Sequence, residues 1–459
     1  MSFRLSALSH YIFYGMNAFS FFLRRLSAGR TLLAVLLSGI LLPDAVYAAV
    51  LSTPLSDTAV SYEQVIIRRL DSLLQDDIFE RTQVGLYVYD LTTDRPLFAR
   101  GARQLMRPAS CQKIVTAVAA LARLGTDYNY STSLYMDGSE QDSVLTGHLT
   151  VRAGFDPLFG RDDMLAFVHA VADRGIRRIN GDIRLDVSIK DTARMGWGWC
   201  WDDDTRPLTP LLYGGRDRFV TAFSQAMDEA GITLEGNFVT ALLPDTARLL
   251  VTRRHTIDQI LLPMMKKSDN LFAESLFYQI GAQSGRAYAD HKRAARSINS
   301  LIEHIGLSSS HYQMADGSGL SLYNYVTPEL LVALLRYAYR HEEIYLHLYP
   351  SLPVAGEDGS LHRRMRGTSA AGNVAAKTGT VEGVSTLAGY ATAPDGHLLC
   401  FAIMNQGLRH TSTGRNFQNR VCVALTMPED SGTEAAPEER PHQEENTEEP
   451  DKGEETDIP

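Results

Sequence analysis

Residues 106–117 have the sequence MRPASCQKIVTA. Ser110 follows a proline and a small residue, and Lys113 comes three positions later, at the start of a helix predicted to run through residues 117–124. Residues three apart on a helix share one face, so we expect the Lys113 amine beside the Ser110 hydroxyl. A partly desolvated lysine can take the proton of a serine and make it a nucleophile. Alone this spacing is weak evidence, because a helix cap followed by a solvated lysine has the same pattern.

Two later motifs fit the same chemistry. Residues 268–270 (SDN) interrupt an apolar helical pattern over residues 257–280, so their polar side chains face either water or a pocket. Residues 377–379 (KTG) end a predicted strand with a glycine, which permits close approach of another segment. Each motif is common by chance, but their occurrence together in this order is poorly explained by chance.

Three of these residues are candidates for the chemical steps of acyl transfer. Ser110 is the candidate nucleophile that attacks a carbonyl carbon and forms an acyl-enzyme. Lys113 accepts the proton of Ser110, and Ser268 passes that proton to the leaving nitrogen. We expect all three to share one pocket.

Four further positions are candidates for substrate binding. Asn270 is expected to hydrogen-bond to the lysine base and to the substrate amide. Lys377 supplies a positive charge for a substrate carboxylate, and the Thr378 hydroxyl is a second donor. The backbone N–H groups of Ser110 and Thr380 are expected to hold the developing oxyanion.

Composition excludes several classes of partner. The hydrophobic fraction of 44% is that of a soluble globular protein, and the net charge of −10 leaves no basic surface that suggests nucleic acid. The 13 histidines form no metal-binding motif, so we expect no metal and no cofactor. The four cysteines fit no zinc pattern, and buried thiols are favoured over a disulfide between Cys400 and Cys422.

The N-terminus has the pattern of an export signal. Three arginines precede the apolar run at residues 31–42, and small residues follow at positions 46 and 48. This order predicts a signal peptide at residues 1–48 and a periplasmic location for the remainder. A second apolar stretch, residues 11–23, leaves open a start at Met16 or a retained N-terminal segment, which would be the chain's contact with the membrane.

The remainder of the chain is predicted to contain a divided catalytic domain. Residues 49–129 and 255–427 form this domain, and residues 130–254 form an inserted α+β module of short strands around a helix. Residues 428–459 are rich in Glu and Asp and too poor in apolar residues to fold, so they are predicted to be a disordered acidic tail.

Three tryptophans, at positions 197, 199 and 201, precede three aspartates. We interpret them as an aromatic plug that packs two modules together, in preference to a platform on which a ligand stacks.

From about residue 83 to residue 405 the sequence resembles the S13 penicillin-binding D-alanyl-D-alanine carboxypeptidases, the class C low-molecular-mass or penicillin-binding protein 4 type. The resemblance includes the three motifs and several segments peculiar to that family. These are residues 181–183 (GDI) with Asp186, 198–203 (GWCWDD), 316–321 (DGSGLS) with Asn324, 352–356 (LPVAG) and 376–380 (AKTGT).

This resemblance implies an α+β fold like that of serine β-lactamases and DD-peptidases, with a five-stranded antiparallel sheet flanked by helices. It implies that Ser110 is acylated, that Lys113 and Ser268 carry protons, and that Asn270 and Lys377 bind substrate. The implied activity is cleavage of the terminal D-Ala-D-Ala bond of peptidoglycan stem peptides, with the D-Ala–diaminopimelate crosslink as an additional substrate. β-Lactam antibiotics are implied as covalent inhibitors.

Two departures from the family pattern stand out. Family members usually follow the Trp-Asp-Asp segment with a long β-rich inserted domain, whereas here a helix predicted at residues 216–230 follows almost at once. That domain is therefore expected to be missing. The loop at residues 153–157 also carries Phe155 where the family has more glycine, which we interpret as a local packing change.

Two other functions compete with this one. A β-lactamase is disfavoured by the family-specific segments and by the lack of an evident deacylating glutamate. A non-catalytic envelope scaffold or muropeptide sensor is disfavoured because it has no need for the complete set of three motifs.

Overall fold

The structure is a computed structural model that describes residues 61–203, 205–283, 285 and 287–428. From Tyr62 onward these residues belong to one compact unit. The predicted signal peptide and, apart from Pro428, the predicted acidic tail lie outside the described residues. Within the described part, no helix combines the length and the apolar character needed to cross a membrane.

The described chain alternates between helices and strands. The helices are α1 Tyr62–Leu73, α2 Ile78–Arg81, α3 Gln112–Leu124, α4 Arg161–Ala172, α5 Phe219–Glu229, α6 Ile257–Lys266, α7 Asn270–Ala282, α8 His291–His304, α9 Pro328–Arg340, α10 Glu342–Ser351 and α11 Thr411–Thr426. The strands are β1 Gln83–Asp90, β2 Arg95–Arg100, β3 Asn129–Gln141, β4 Val144–Arg152, β5 Arg178–Asn180, β6 Ile183–Asp186, β7 Thr233–Leu234, β8 Phe238–Thr240, β9 Arg248–Thr256, β10 Ala375–Val381, β11 Val384–Thr392 and β12 Leu398–Gln406.

A five-stranded antiparallel sheet joins the two ends of the described chain. Its strand order is β10-β11-β12-β1-β2, so the N-terminal hairpin adds to the three C-terminal strands. Alternate residues face opposite sides of a strand. In β12, Phe401 and Ile403 accordingly pack toward α11, while Ala402 and Met404 pack toward α3 and α9. The sheet is covered on both faces, as the predicted fold class requires.

A second sheet is built from residues 129–256. Its main path is β7-β5-β4-β3-β9, and β6 and β8 pair beside β4. Helices α4 and α5 cover one face through a cluster that includes Phe167, Phe219 and Phe223. The division of the chain into domains at residues 130 and 254 stays a prediction.

Helices α3, α6, α7, α8, α9 and α10 form the largest apolar core. The predicted interruption of the helical pattern over residues 257–280 is confirmed, because α6 ends at Lys266 and α7 begins at Asn270. The Asp269 side chain caps α7 by accepting a hydrogen bond from the Phe272 N–H at 3.3 Å. A polar segment therefore lies between two buried helices.

The structure corrects the interpretation of the tryptophans. Only Trp199 packs against the core, while Trp201 is 90% exposed and Trp197 is 44% exposed. Trp197 lies against the rings of His291 and Tyr323, both with centroids at 5.2 Å. The plug interpretation is wrong for Trp201, because residues 200–203 turn outward at the surface instead of continuing into the core.

All four cysteines are free, as favoured from the sequence, and three are buried. Cys400 belongs to the apolar cluster on one face of the five-stranded sheet, and Cys422 belongs to the cluster on the other face. The sheet between these two clusters explains why no bridge joins them.

Candidate active site

Ser110 lies in a single 3-10 turn, Ala109–Cys111, that leads directly into α3. The preceding residue, Ala109, has a φ of 45°, a left-handed conformation that is strained for a side chain other than glycine. Gly319 lies against this turn with a φ of 85°, and a Cβ there would come within 1.8 Å of the Ala109 carbonyl oxygen. The backbone of the nucleophile turn is thus held by a contact that only glycine permits.

Lys113 is fully buried, and its amine donates three hydrogen bonds. The acceptors are Ser110 Oγ at 2.9 Å, Asn270 Oδ1 at 2.8 Å and the Ser318 carbonyl oxygen at 2.9 Å. Burial lowers the pKa of the Lys113 amine to about 8. Near neutral pH a fraction of this amine is therefore unprotonated, in direct contact with the serine hydroxyl. This is the arrangement a general base requires.

A second pair of residues mirrors the first. Ser268, between α6 and α7, has a φ of 60°, and its hydroxyl oxygen accepts a hydrogen bond from Lys377 Nζ at 2.9 Å. Lys377 is also fully buried and donates to the Thr378 carbonyl oxygen at 2.7 Å. Burial, and then the nearby charge of Lys113, lowers the pKa of the Lys377 amine to about 7. Its positive charge is therefore only partial at neutral pH.

Strand β10 passes directly beside the nucleophile turn. A Cβ on Gly379 would lie 2.8 Å from both the Ser110 nitrogen and the Pro108 carbonyl oxygen, so the predicted need for glycine at this position is confirmed. The Cys111 thiol donates to the Lys377 carbonyl oxygen at 3.1 Å. These contacts bring residues 377–379 against the start of α3.

β10 is an edge strand, and its outer side carries the two predicted threonines. The Ala376 N–H donates outward to the Pro353 carbonyl oxygen at 2.9 Å. Alternate residues of a strand direct their N–H groups the same way, so those of Thr378 and Thr380 also point outward. Thr380 is exposed, and the Thr378 hydroxyl lies 2.6 Å from the hydroxyl of Ser360. An extended peptide can therefore pair along this edge.

Two buried carboxylates support the site, although neither was predicted as a site residue from the sequence. Glu274 accepts hydrogen bonds from the N–H groups of Gly317 at 3.1 Å and Ser318 at 2.8 Å, and burial raises its pKa to about 8. Asp316 accepts from the Trp199 indole N–H at 2.9 Å and from the Ser321 N–H at 2.7 Å. Together they fix the loop whose Ser318 carbonyl faces Lys113.

A sequence signal for Glu274 was present. It lies four residues after Asn270 on a helix whose first turn carries a candidate site residue, and residues four apart share a face. Another missed contact is the ion pair between Arg206 and Asp269, which joins the segment after the tryptophans to the cap of α7.

The structure thus brings all seven candidate residues to one place, where the start of α3, the break between α6 and α7, and the edge of β10 meet. In the described part of the chain, no group of three or more His, Cys, Asp or Glu side chains could hold a metal ion. The arrangement suits proton transfer by two lysines around two serine hydroxyls.

Comparison with known proteins identifies the family and the fold of this chain. The family model for the D-Ala-D-Ala carboxypeptidase 3 (S13) family matches residues 66–212 and 215–427. "Carboxypeptidase DacB" of Mycolicibacterium smegmatis is 30% identical over 369 residues, covering 74% of this chain and 79% of that protein. "D-alanyl-D-alanine carboxypeptidase DacB" of Haemophilus influenzae is 25% identical over 420 residues, covering 73% of this chain and 87% of that protein.

The aligned region of the Haemophilus protein is longer than the part of this chain that it matches. Because the alignment spans 420 positions but uses only 73% of the 459 residues here, that relative carries segments with no counterpart in this chain. This agrees with the expected absence of an inserted domain.

The fold agrees as well. The crystal structure of penicillin binding protein 4 (dacB) from Haemophilus influenzae has a TM-score of 0.70 at 24% identity, covering 77% of this chain and 97% of that one. The expected α+β fold, with its five-stranded antiparallel sheet flanked by helices, is confirmed. The chain belongs to the D-Ala-D-Ala carboxypeptidase 3 (S13) family of serine-type carboxypeptidases, which confirms both the family and the enzyme class expected from its sequence.

Proposed function

We propose that this chain is an exported DD-peptidase that cleaves the terminal D-Ala-D-Ala bond of peptidoglycan stem peptides through an acyl-enzyme on Ser110. The observation that carries the proposal is the Lys113 amine, which is fully buried, has its pKa lowered to about 8, and lies 2.9 Å from the Ser110 hydroxyl. A solvated lysine on a helix surface has none of these three properties.

In the proposed acylation step, Ser110 Oγ bonds to the carbonyl carbon of the penultimate D-Ala while its proton passes to the unprotonated Lys113 amine. The peptide C–N bond then breaks, and the proton taken up by Lys113 passes through the Ser268 hydroxyl, which Lys377 contacts, to the leaving D-Ala nitrogen. The outward N–H of Thr380 and the N–H of Ser110 stabilise the oxyanion of the tetrahedral intermediate. Water then attacks the ester carbonyl carbon and gives a proton to Lys113. The bond to Ser110 Oγ breaks, Oγ regains its proton from Lys113, and the shortened peptide leaves with a new carboxylate.

Substrate binding is assigned to the residues around this centre. Asn270 orients the substrate amide while it holds Lys113. The terminal carboxylate of the substrate lies near Lys377, Thr378 and Thr380, with an extended backbone along the free edge of β10. No cofactor takes part in this proposal.

The same acyl-enzyme forms from other molecules with a suitable carbonyl. A crosslinked peptide presents the same D-Ala carbonyl in an amide bond to diaminopimelate instead of D-Ala, so we include crosslink cleavage as a second activity of this site. β-Lactams are proposed as covalent inhibitors of Ser110. A structure of the Haemophilus influenzae penicillin binding protein 4 is described as complexed with a novel beta-lactam, which supports this part.

The location of the enzyme is also a proposal. The basic, apolar and small residues of the first 48 positions support export to the periplasm, where peptidoglycan lies. If the N-terminal segment is retained after export, it is the part that contacts the membrane.

One experiment separates the competing functions. The purified chain is incubated with a fluorescent penicillin and, in a second reaction, with diacetyl-Lys-D-Ala-D-Ala. We expect stable labelling and D-Ala release, both abolished by Ser110→Ala and both retained by Ser297→Ala, which removes a hydroxyl from α8. Rapid penicillin turnover without D-Ala release would indicate a β-lactamase, and no reaction with either compound would indicate a non-catalytic protein.

A further inference from the structure

A cleft lies on the second sheet, at the end of α7 that is far from the active site. It is bounded by β3, β4 and β9 on one side, and by Gln279, Ala282 and Gln283 on the other. It encloses about 580 Å³, a volume in the range of sites that hold small ligands.

The floor of this cleft is a strip of hydroxyl groups between two arginines. In β3, Ser131 and Ser133 are two positions apart and share a face. Ser131 pairs with Arg254 of β9, while Ser133 pairs with Thr252 of β9 and with Arg152 of β4. The floor therefore carries a row of hydroxyl groups, of which those of Ser133 and Thr252 are hydrogen-bonded to each other at 2.8 Å, with an arginine at each end.

These two arginines differ from Arg253 and Arg248 of the same sheet. Arg253 forms an ion pair with Asp163 at 2.7 Å, and Arg248 pairs with Glu140 at 2.5 Å. Within the described residues, neither Arg152 nor Arg254 has a carboxylate at ion-pair distance, although the chain as a whole is acidic.

The acid that borders the cleft is Asp186, which pairs with Arg152 across β4 and β6 but forms no ion pair with either arginine. Asp186 is 5% exposed, and its carboxylate accepts hydrogen bonds from the N–H groups of Ser188 and Leu243, both at 3.1 Å. The two guanidinium groups are thus available to an anion that enters from solvent, and a guanidinium binds a carboxylate with two parallel hydrogen bonds.

We propose that this cleft is a second, non-catalytic binding site for the peptidoglycan polymer. Arg152 and Arg254 bind carboxylates of its stem peptides, and the strip of hydroxyl groups between them binds neighbouring amide and sugar groups. The inference rests on the proposed function, because it takes the polymer to be the substrate.

The length of α7 separates this site from the catalytic one. The 13 residues from Asn270 to Ala282 span roughly 20 Å at about 1.5 Å per residue. An extended tripeptide reaches only about 10 Å, whereas a chain of six residues reaches about 20 Å. A short peptide in the active site therefore leaves the cleft empty, while a polymer can occupy both sites.

The test compares polymer binding with tripeptide hydrolysis. The cleft variant combines Arg152→Gln and Arg254→Gln in the full chain. Its binding to insoluble peptidoglycan is measured by sedimentation with Ser110→Ala also present, so that the polymer is not cleaved. Its release of D-Ala from diacetyl-Lys-D-Ala-D-Ala is measured with Ser110 intact. The matched control combines Arg177→Gln and Arg178→Gln, which removes the same charge from exposed positions of the same sheet region.

We expect the cleft variant to bind peptidoglycan about fivefold more weakly than the control at low salt, with a smaller difference at 0.5 M NaCl. Tripeptide hydrolysis should be equal in both. The proposal would be overturned if the two variants bound peptidoglycan equally, or if the chain with both arginines intact did not bind it. If binding depends on the arginines but the chain with Ser110 intact does not hydrolyse the tripeptide, the proposed catalytic activity fails, and only the binding of the polymer to the cleft is supported.

Discussion

The two buried lysines predict an unusual dependence of activity on pH. Catalysis as proposed needs Lys113 without its extra proton and Lys377 with it, while burial lowers their pKa values to about 8 and about 7 respectively. At low pH Lys113 is protonated and cannot accept the serine proton. At high pH Lys377 is neutral and cannot hold a substrate carboxylate. The value of kcat/KM for diacetyl-Lys-D-Ala-D-Ala should therefore follow a bell-shaped curve centred near pH 7.5.

The two pKa values also set how far the activity falls on each side of the optimum. At pH 7.5 about one quarter of each lysine is in its required form, so about 6% of the enzyme is active. One pH unit to either side, the active fraction falls about 2.5-fold, and two pH units away it falls about 20-fold. The assay is the initial rate of D-Ala release between pH 5.5 and 9.5 at constant ionic strength.

A matched substrate separates the two limbs. The C-terminal amide of the same tripeptide has no carboxylate for Lys377 to bind, so its curve should lose the alkaline limb and rise about fourfold from pH 7.5 to 9.5 as Lys113 deprotonates. A profile that is flat from pH 6 to 9 would refute the role of Lys113 as base. If activity on the amide substrate still fell at alkaline pH, Lys377 would not be the group that binds the substrate carboxylate.

Three further predictions concern the support of the site. Gly319→Ala should reduce the rate of acylation by penicillin at least about tenfold, because the new Cβ would displace the Ala109 carbonyl. The control is Gly367→Ala, which also lies at positive φ but whose Cβ would have no atom within 4 Å, and it should be acylated at the normal rate. Burial raises the pKa of Glu274 to about 8, so the folded state binds a proton that the unfolded state releases above about pH 4.5, and stability falls as the pH rises toward 8. Thermal unfolding at pH 5 and pH 8 should show this decrease in the wild type, and a smaller one in Glu274→Gln; an equal decrease in both would contradict it. Because three thiols are buried and burial raises their pKa, a thiol reagent should modify only Cys200 in the native protein and all four cysteines after denaturation, which absorbance titration would measure.

Much of the local structure could be predicted from short-range patterns. The alternation in residues 83–89 and the turn residues after it indicate the hairpin of β1 and β2, and both strands form. The polar interruption at residues 268–270 marks the end of one helix and the start of another. In each case the signal is local, since side-chain period and capping chemistry depend on neighbours along the chain.

Long-range arrangement was not available from residue patterns alone. Nothing in the period of β1 indicates that it pairs with β12, more than 300 positions away, and the family resemblance implied a five-stranded antiparallel sheet without its strand order. The exposure of Trp201 was likewise hidden, because a large aromatic residue favours burial on average and only the path of residues 200–203 places it in solvent. The shared burial of Lys113 and Lys377 depends on segments that meet only in the fold.

The placement of charge around Lys113 explains why its pKa lies near neutrality. A carboxylate in direct contact with the amine would hold its proton and raise the pKa, which would leave no base. The direct partners of the amine are neutral oxygens of Ser110, Asn270 and Ser318, while Glu274 bonds to the N–H groups of the loop behind Ser318. Burial thus lowers the pKa, the more distant carboxylate of Asp316 limits that decrease, and the loop that carries Asp316 also positions the Ser318 carbonyl that orients the amine.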